Sequence, residues 1–317
     1  MPLVKIIFFG TSSFAAHILE KLVRTFPVVA VVTKPDQPQG RHLHLMPSPV
    51  KVAADTLHIP TFQPVKCSTE EFAECLHGLG ADLFIVVAYG EILSQRILDI
   101  PPFGCINVHA SLLPKYRGAA PIHRSLINGE KESGISIIKM VKKMDAGDIL
   151  GMKKVTIGPE MTFSELEKAL CVVGSNCLLE VVHEIKDHKT DPVPQNEGDV
   201  TFAQKITPEE CHILWDRPVE EVHNLIRGVS PHPGAWCMVR IRDKTKRLKI
   251  LRATVTEVQA HFTAGHVVQC DKNGLIVACA HGHLKILEVQ PEGKSIMLVQ
   301  EFVKGIPNGE ISFVNSV

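Results

Sequence analysis

The sequence predicts an α/β protein: a Rossmann-like, doubly wound and mostly parallel sheet, followed by a small C-terminal antiparallel β-barrel of the OB-like kind. Two observations predict this architecture. In the first part of the chain, short apolar runs alternate with amphipathic segments, which is typical of a parallel sheet with helices on both faces. After Thr207, short β-like runs separated by turn residues replace that alternation, which favours a small barrel.

Four segments in the first part of the chain show the expected alternation. Three are short apolar runs that we expect to form buried strands, and the fourth carries apolar residues at helical spacing and predicts a helix. In chain order they are the strand at 4–9, the helix at 14–23, and the strands at 28–33 and 83–88. Gly10 follows the first strand, where dinucleotide-binding folds carry three spaced glycines. Only one of the three is present, so we expect no nicotinamide or flavin site there.

A helix, a linker and a set of short strands are expected in the remainder of the chain. Thr162-Phe-Ser-Glu165 matches a capping box and predicts the start of a helix, which we expect Gly174-Ser175 to break or bend. The polar, proline-containing stretch at 187–199 is interpreted as part of a linker. Strands are expected at 235–241, 248–255, 266–269, 274–280 and 284–289. We therefore expect a catalytic domain at 1–188, a linker at 189–206, and a C-terminal β-barrel domain at 207–317.

Composition limits the class of protein. Lys plus Arg and Asp plus Glu each number 34, so the formal net charge is zero, which excludes a chain-wide polyanion binder but allows a local basic patch. The apolar run at 83–89 is far shorter than the ~20 residues of a membrane-spanning helix, and Gly10 comes too early for a signal-peptide core. We therefore expect a cytoplasmic protein with no membrane partner. The nine Cys are scattered without C-x-x-C spacing and are expected to be reduced thiols.

The chemistry is expected at two residues that lie two positions apart. In an extended segment, Asn107 and His109 point to one face, while Ile106 and Val108 point into the core. An amide N–H is a suitable donor to an oxygen that gains negative charge during acyl transfer, and an imidazole can change charge near neutral pH. From these residues alone, a structural Asn and a hydrogen-bonded, half-buried His stay an open alternative.

Asp145 opens a short glycine-containing turn, Asp-Ala-Gly-Asp148. Glycine in such a turn can bring the backbone close to a ligand. A carboxylate near His109 would orient the imidazole ring. The spacing does not show that Asp145 and His109 meet, and an ordinary turn residue stays the alternative for Asp145.

Several motifs taken together resemble the folate-dependent formyltransferase family. Four of them surround the residues discussed above: Asn107-Val-His109, Ser111-Leu-Leu-Pro114, Arg117-Gly-Ala-Ala-Pro-Ile122 and Asp145-Ala-Gly-Asp148. Five more extend the resemblance over nearly the whole chain and are most similar to the members that act on an aminoacylated tRNA: Phe9-Gly-Thr11, Lys34-Pro-Asp36, Leu45-Met-Pro-Ser-Pro-Val-Lys51, Val87-Ala-Tyr-Gly90 and Ser230-Pro-His-Pro-Gly-Ala-Trp236.

The resemblance implies the formyltransferase fold and a reaction. A formyl group would pass from the co-substrate 10-formyltetrahydrofolate to the α-amine of methionine on initiator methionyl-tRNA, for translation initiation. Asn107 and His109 would stabilise the tetrahedral oxyanion. Asp145 would hold His109 in its useful protonation state and help to move protons to the leaving folate nitrogen. The resemblance involves no metal and suggests a monomer.

The folate co-substrate is expected against a loop and a strand end. The resemblance assigns the loop contact to four consecutive residues, Ser111, Leu112, Leu113 and Pro114. The two leucines offer an apolar wall for flat rings, and the proline stiffens the loop. Further candidates for the pterin pocket follow the strand at 83–88, because parallel strands bind ligands at their carboxyl ends: Tyr89, Ile92 and Leu93. For these three, ordinary core packing is an equally open alternative.

Two basic elements are expected to hold tRNA. The resemblance places Arg41, in the loop at 34–52, near the acceptor end, although His42-Leu43-His44 stands where lysines are common. Two histidines without further spaced ligands are a poor zinc signal. The second element is a stripe that suits phosphate binding, with Arg240, Arg242, Lys244, Lys246, Arg247 and Lys249. A solvated hairpin turn with basic side chains is the alternative for this stripe.

Two further functions stay open. One keeps the chemistry and changes the acceptor, as in a hydrolase that releases formate to water, or a sugar-amine or ribonucleotide formyltransferase. The other is a non-catalytic RNA-binding protein on an inactive scaffold. The second domain and the long loop favour the tRNA acceptor. The presence of Asn107, His109 and Asp145 together favours an enzyme.

Overall fold

The computed structural model describes residues 4–39, 44–257, 261–306 and 310–314. The chain forms two compact units. The first comprises Met1–Pro121, Glu132–Val155 and Glu167–Ala203, and the second comprises Ile122–Lys131, Thr156–Leu166 and Gln204–Val317. The second unit thus takes in two segments that precede residue 188, and most of the expected linker lies in the first unit. The domain division at 188 and 207 stays a prediction.

The first unit is built from short strands and helices that alternate along the chain. Its strands are β1 (Ile6–Gly10), β2 (Val28–Val32), β3 (Gln37–Gln39), β4 (His44–Met46), β5 (Thr61–Phe62), β6 (Leu83–Val87), β7 (Cys105–His109), β8 (Arg117–Gly118), β9 (Glu132–Lys139), β10 (Ile149–Thr156) and β11 (Phe202–Ala203). The helices up to residue 186 are α1 (Ser13–Leu22), α2 (Pro49–Thr56), α3 (Glu70–Gly78), α4 (Gln95–Leu98), α5 (Pro121–Ile127) and α6 (Phe163–Lys186), of which α5 lies mostly in the second unit.

The main sheet of the first unit has the strand order β10-β9-β7-β6-β1-β2-β5. The β1 strand pairs in parallel with both β2 and β6, and β6 pairs in parallel with β7. From β1 the chain first adds β2 and β5 on one side and then adds β6 and β7 on the other side. This confirms the doubly wound, mostly parallel fold, in which ligands bind beyond the carboxyl ends of the central strands. The β7 strand carries Asn107 and His109, and His109 is its last residue, at the carboxyl end.

The β9 strand runs antiparallel to β7, so that Asn107 lies beside Ile138 and His109 beside Ser136. Because of this direction, the last residue of β9, Lys139, lies beside Ile106 of β7. The turn that contains Asp145 follows β9 and leads into β10. The strand pairing therefore places β9 and its following turn next to the strand that carries Asn107 and His109.

The α6 helix runs without interruption through Gly174 and Ser175. The expectation of a break there was wrong. A Cβ on Gly174 would lie 3.2 Å from two side-chain carbons of Ile135 in β9, so this glycine lets the helix pack closely on the sheet. The Ser175 hydroxyl donates to the Cys171 carbonyl one turn earlier (2.7 Å), which satisfies it within the helix. The capping box is confirmed in part, since the Glu165 carboxylate accepts from the Thr162 backbone N–H (2.8 Å).

The second unit is an antiparallel barrel with helices of its own besides α5. Its strands and helices are α7 (Val219–Gly228), β12 (Ala235–Ile241), β13 (Lys244–Thr256), β14 (Val267–Asp271), β15 (Gly274–Ala278), β16 (His283–Pro291), β17 (Met297–Leu298), α8 (Val299–Val303) and β18 (Ile311–Val314). The strand order is β14-β15-β16-β13-β12-β18, with β17 paired to β16. The edge strands β14 and β18 approach each other, which gives the expected, nearly closed barrel. Its core contains Trp215, Leu248 and Ile286.

Among the residues that the structure describes, helices long and apolar enough to cross a membrane are absent.

Candidate active site

Asn107 and His109 occupy one face of β7, as the alternation predicts. Their neighbours Ile106 and Val108 are buried on the other face. The strand is held on both sides, by β6 in parallel and by β9 in antiparallel pairing. Both polar side chains therefore extend from a rigid part of the sheet, which favours a fixed geometry of the two groups.

The carboxylate of Asp145 joins these two residues. Asn107 Nδ2 donates to Asp145 Oδ1 (3.2 Å), and the backbone N–H of Gly118 donates to Asp145 Oδ2 (2.9 Å). His109 Nδ1 lies 3.6 Å from Asp145 Oδ2. Although 38 residues separate Asn107 from Asp145, the structure brings all three predicted residues into one cluster. Asp145 does lie in a turn, and its catalytic role stays a prediction.

The His109 ring is fixed at both nitrogens. Its Nε2 lies 2.8 Å from the carbonyl oxygen of Tyr116. Because a carbonyl only accepts hydrogen bonds, Nε2 carries a hydrogen and donates to it. The other nitrogen, Nδ1, then faces the Asp145 carboxylate. The imidazole is only 6% exposed, so these two partners decide its orientation.

Asp145 sits in a tight turn with an unusual backbone. Its φ is +51°, in the left-handed region that few residues other than glycine adopt. Two residues later, Gly147 leaves no room for a side chain, since a Cβ there would lie 1.6 Å from the carbonyl oxygen of Lys139. The sequence suggested that this glycine brings backbone close to a ligand. The structure shows that it brings the turn close to the end of β9.

Gln195 contacts this turn from the expected linker. Its side-chain amide donates to the carbonyl oxygens of Asp145 (2.8 Å) and Gly147 (2.7 Å). The segment around it is attached to the first unit, because Ile149 and Val193 exchange two backbone hydrogen bonds (2.8 and 2.9 Å) and β11 pairs with β8. Sequence reasoning missed Gln195, since a polar stretch with prolines has the composition of a linker.

Arg117 and Glu197 complete the network behind Gln195. Arg117 is 2% exposed, and its Nε and one terminal nitrogen donate to Gln195 Oε1 (3.0 and 2.8 Å). The same terminal nitrogen donates to Glu197 (2.8 Å), which also accepts from Lys143 (2.7 Å). These hydrogen bonds, first from Arg117 and then from Lys143, lower the pKa of the Glu197 carboxyl to about 2.

The Ser111–Pro114 loop starts directly after β7. Ser111 is buried, and its hydroxyl donates to the Lys115 carbonyl (2.6 Å). The backbone of the loop is tied to β9 through Ser136, whose hydroxyl donates to the Ser111 carbonyl (2.8 Å) and accepts from the Leu113 N–H (3.1 Å). Leu113 is buried, whereas Leu112 and Pro114 are half-buried. Leu112 and Pro114 are thus the members of this loop that reach the surface.

The three residues after β6 have different surroundings. Tyr89 is buried and packs edge-on against Phe9, with ring centroids 5.6 Å apart. Burial raises the pKa of its hydroxyl above the usual value. Leu93 is buried in the same core cluster, and Ile92 is exposed. The structure thus places Tyr89 and Leu93 in the core, as the alternative had it, and a pterin contact through these residues stays a prediction.

The basic stripe lies on the β12–β13 hairpin of the second unit. Three of its members have partners: Arg242 pairs with Glu310 (2.6 Å), Lys249 donates to the Pro233 carbonyl (2.7 Å), and Arg247 stacks over Trp236 at 4.0 Å from the ring centroid. The three others are exposed, and they are Arg240, Lys244 and Lys246. The hairpin of the alternative interpretation is present, and its phosphate-binding role stays a prediction.

Arg41 and its neighbours His42 and Leu43 lie outside the described residues. Within the described ranges, groups of three or more His, Cys, Asp or Glu that could hold a metal ion are absent.

Family models and full-length relatives match this chain. A model described as "Formyl transferase" matches residues 4–182, and one described as "Formyl transferase, C-terminal domain" matches residues 205–307. A protein of Protochlamydia amoebophila named methionyl-tRNA formyltransferase is 46% identical over 312 residues, which cover 98% of each chain. A protein of Macrococcus caseolyticus with the same name is 44% identical and covers 95% of each chain.

Solved structures share the fold at low identity. HypX of Aquifex aeolicus, in complex with tetrahydrofolic acid, has a TM-score of 0.65 at 14% identity and covers 96% of this chain and 47% of its own. An N-formyltransferase of Helicobacter canadensis, in complex with folinic acid and dTDP-3-aminofucose, has a TM-score of 0.63 at 19% identity, covering 92% of this chain and 100% of its own. With the relatives above, and with Asn107, His109 and Asp145 gathered at one strand end, the chain belongs to the formyl transferase family.

Proposed function

We propose that this chain is an enzyme that transfers a formyl group from 10-formyltetrahydrofolate to the α-amine of methionine on initiator methionyl-tRNA. The observation that carries the proposal is the cluster of Asn107, His109 and Asp145 at the carboxyl end of β7. It occurs in a chain that is 46% identical to a methionyl-tRNA formyltransferase over almost its full length. The product, formylmethionyl-tRNA, serves translation initiation.

The reaction needs no covalent intermediate on the protein. The neutral α-amine attacks the formyl carbon, a new C–N bond forms, and the carbonyl oxygen gains negative charge. We propose that Asn107 and His109 stabilise this oxyanion. The Asn107 amide has a second N–H besides the one that it donates to Asp145, and we propose that His109 Nε2 exchanges its hydrogen bond to the Tyr116 carbonyl for one to the oxyanion when substrate binds. The bond from the formyl carbon to the folate nitrogen then breaks, and that nitrogen receives a proton while the attacking amine loses one. A donor to such an oxyanion contributes about 10²–10³-fold in rate.

Asp145 supports this step in two ways. Its carboxylate accepts from Asn107 and faces His109, so both side chains are held toward the same point in space. The Asp145 carboxylate is also 12% exposed, so a water molecule can reach it from the surface. We propose that Asp145 keeps His109 in its useful protonation state and assists the proton transfer to the leaving folate nitrogen.

The folate-binding assignment belongs to the same proposal. Leu112 and Pro114 reach the surface next to the end of β7, and with Ser111 and Leu113 they form the loop proposed to hold the co-substrate. A structural neighbour, HypX, is solved with tetrahydrofolic acid, which supports folate as the ligand class. We also propose that Tyr89, Ile92 and Leu93 contribute to folate binding. Ile92 is exposed, whereas Tyr89 and Leu93 are buried. The position of these residues after the carboxyl end of β6 is the sole support for this part of the proposal.

The acceptor distinguishes this proposal from its alternatives. Sugar N-formyltransferases share the fold at 19% identity, which supports the chemistry but not a sugar acceptor here. The full-length relatives carry the name methionyl-tRNA formyltransferase, which favours the tRNA over water, a sugar amine or a ribonucleotide and makes a non-catalytic RNA-binding protein an unsuitable description. We also propose that the protein acts in the cytoplasm, where initiator tRNA is used, and acts as a monomer.

The deciding experiment compares acceptors under identical conditions. The purified chain is incubated with 10-formyltetrahydrofolate and, separately, with charged initiator tRNA, free methionine, a nucleotide-linked sugar amine, glycinamide ribonucleotide, or water alone. We expect formylated methionyl-tRNA and little product with the other acceptors. Release of formate without an amine acceptor, or transfer to the sugar or ribonucleotide amine alone, would contradict the tRNA proposal. Light scattering on the same sample checks the monomer.

Removing two exposed lysines of the hairpin should flatten the salt dependence of tRNA binding. Phosphate contacts release counterions, so the logarithm of the affinity falls linearly with the logarithm of salt concentration. For Lys244→Ala combined with Lys246→Ala, we expect the magnitude of this slope to fall by about one for each phosphate group that the protein no longer neutralises. The measurement is tRNA binding between low and moderate salt.

Lys272→Ala combined with Lys294→Ala is the matched control, because both lysines are exposed in the same unit but lie outside the stripe. The control should keep the native slope. Equal slopes in all three proteins would contradict phosphate binding by this hairpin.

A further inference from the structure

Gln195 bridges the carbonyl groups of Asp145 and Gly147 in the Asp145 turn. Its amide nitrogen donates to the carbonyl oxygen of Asp145 and to that of Gly147, at 2.8 and 2.7 Å. One side chain thus binds the turn at two carbonyl groups. A turn held in this way has little freedom to change the backbone angles of Asp145.

The orientation of the Gln195 amide is decided by Arg117. A guanidinium group only donates, and it directs two N–H groups to Gln195 Oε1 at 3.0 and 2.8 Å. The amide oxygen therefore faces Arg117, and the amide nitrogen faces the turn. Arg117 is itself buried and is anchored through β8, which pairs with β11 in the same segment that carries Gln195.

The held backbone is the one that aims the carboxylate. Asp145 has φ of +51°, which costs free energy in a residue other than glycine and relaxes unless its surroundings hold it. From this conformation the carboxylate reaches Asn107 Nδ2 and the Gly118 N–H and faces His109. A change in the turn would move all of these groups relative to the carboxylate.

We propose that Gln195 is a positioning residue for the transfer reaction. It acts through Asp145, by holding the 145–147 turn in the conformation that directs the carboxylate to Asn107 and His109. Arg117 selects the productive orientation of the Gln195 amide, and the Glu197 carboxylate, which also accepts from Lys143, pairs with the Arg117 guanidinium. This inference rests on the proposed function and adds a residue 50 positions away from Asp145 in the chain.

The test is a double-mutant cycle on kcat between Gln195 and Asp145. In the native background, Gln195→Ala should lower kcat about 10–100-fold, the scale of a small misplacement of reacting groups, with KM for both substrates within about 3-fold of native. In an Asp145→Asn background, the same change should lower kcat by less than about 3-fold, because the group that Gln195 positions no longer acts. A purely structural role would cost the same in both backgrounds.

Two further variants separate donation from space filling. Gln195→Glu keeps the shape but places a second oxygen against the two carbonyl groups, so it should lose kcat as Gln195→Ala does. Gln95→Ala is the matched control, because Gln95 is exposed and its amide donates to Asp99 (2.8 Å) away from the turn. The control should keep native kcat.

Each outcome of this experiment counts for or against the proposal. Coupled losses at Gln195 and Asp145 support it. Native kcat in Gln195→Ala, full activity in Gln195→Glu, or equal losses in both backgrounds would overturn the positioning role while leaving the proposed function in place. Absence of transfer by the unmodified protein would instead contradict the proposed function, and the positioning role with it.

Discussion

Replacing Asp145 with Asn should lower kcat by about 10²–10⁴-fold, the range that a positioned acid–base group contributes. The amide that replaces the carboxylate has a single acceptor oxygen, so it cannot receive Asn107 Nδ2 and the Gly118 N–H at separate oxygens as Asp145 does. It also has no negative charge to face His109, whose Nδ1 lies 3.6 Å from the carboxylate. Asn107→Ala and His109→Ala should each cost about 10²–10³-fold, as expected for loss of an oxyanion donor.

The measurement is single-turnover formyl transfer with purified variants, with tRNA binding and the circular dichroism spectrum as checks on the fold. We expect both checks to be native, because these substitutions change polar side chains and leave the apolar core residues of the sheet in place. Asp187→Asn is the matched control, since its carboxylate pairs with Lys189 on the surface (3.4 Å). A variant with near-native turnover would remove that residue from the proposed mechanism.

Gly147→Ala should lower kcat about 100-fold or more and also lower Tm. A Cβ at this position would lie 1.6 Å from the Lys139 carbonyl oxygen, far inside any permitted contact. That carbonyl cannot easily yield, because Lys139 is the last residue of β9 and its own N–H donates to the Asp148 carbonyl (2.9 Å). The turn must therefore shift, which displaces Asp145, and displacement by about 1 Å can cost about 10²-fold.

Gly78→Ala provides the matched control for this substitution. Gly78 is the last residue of α3, and a Cβ there would meet nothing within 4 Å. The control should keep native kcat and have equal or slightly higher Tm, because alanine reduces the freedom of the unfolded chain. Thermal unfolding and single-turnover rates are measured side by side for Gly147→Ala, Gly78→Ala and the unmodified protein. Native values of both quantities in Gly147→Ala would show that the turn tolerates displacement.

The wrong and incomplete predictions share one cause. Gly174-Ser175 suggested an interrupted helix, but the glycine serves close packing of α6 against Ile135, a contact between residues far apart in sequence. The stretch around Gln195 had the composition of a linker, yet it supplies the amide that holds the Asp145 turn. In both cases the local sequence pattern was present. The pattern did not indicate the contact that each residue makes with a distant part of the chain in the folded protein.

The basic hairpin shows the same limit at the surface. Six cationic side chains in ten residues are visible in the sequence. The sequence does not show which of these side chains are free to bind phosphate. In the structure, Arg242 pairs with Glu310, and Arg247 lies over Trp236, eleven residues earlier in the chain. Charge content can thus be counted from the chain, whereas the number of charges free to meet phosphate depends on folded partners.

Local periodicity was sufficient for the alternation of strands and helices, for the barrel strands, and for the shared face of Asn107 and His109, because these patterns repeat over two to four residues. Folding was needed to join Asp145 to that face across 38 residues and to bring Gln195 to the turn across 50. Contacts of that length depend on strand order and on the antiparallel entry of β9 beside β7. The sequence around a carboxylate or an amide does not indicate which residue it will contact, because the packing of the whole sheet determines its partner.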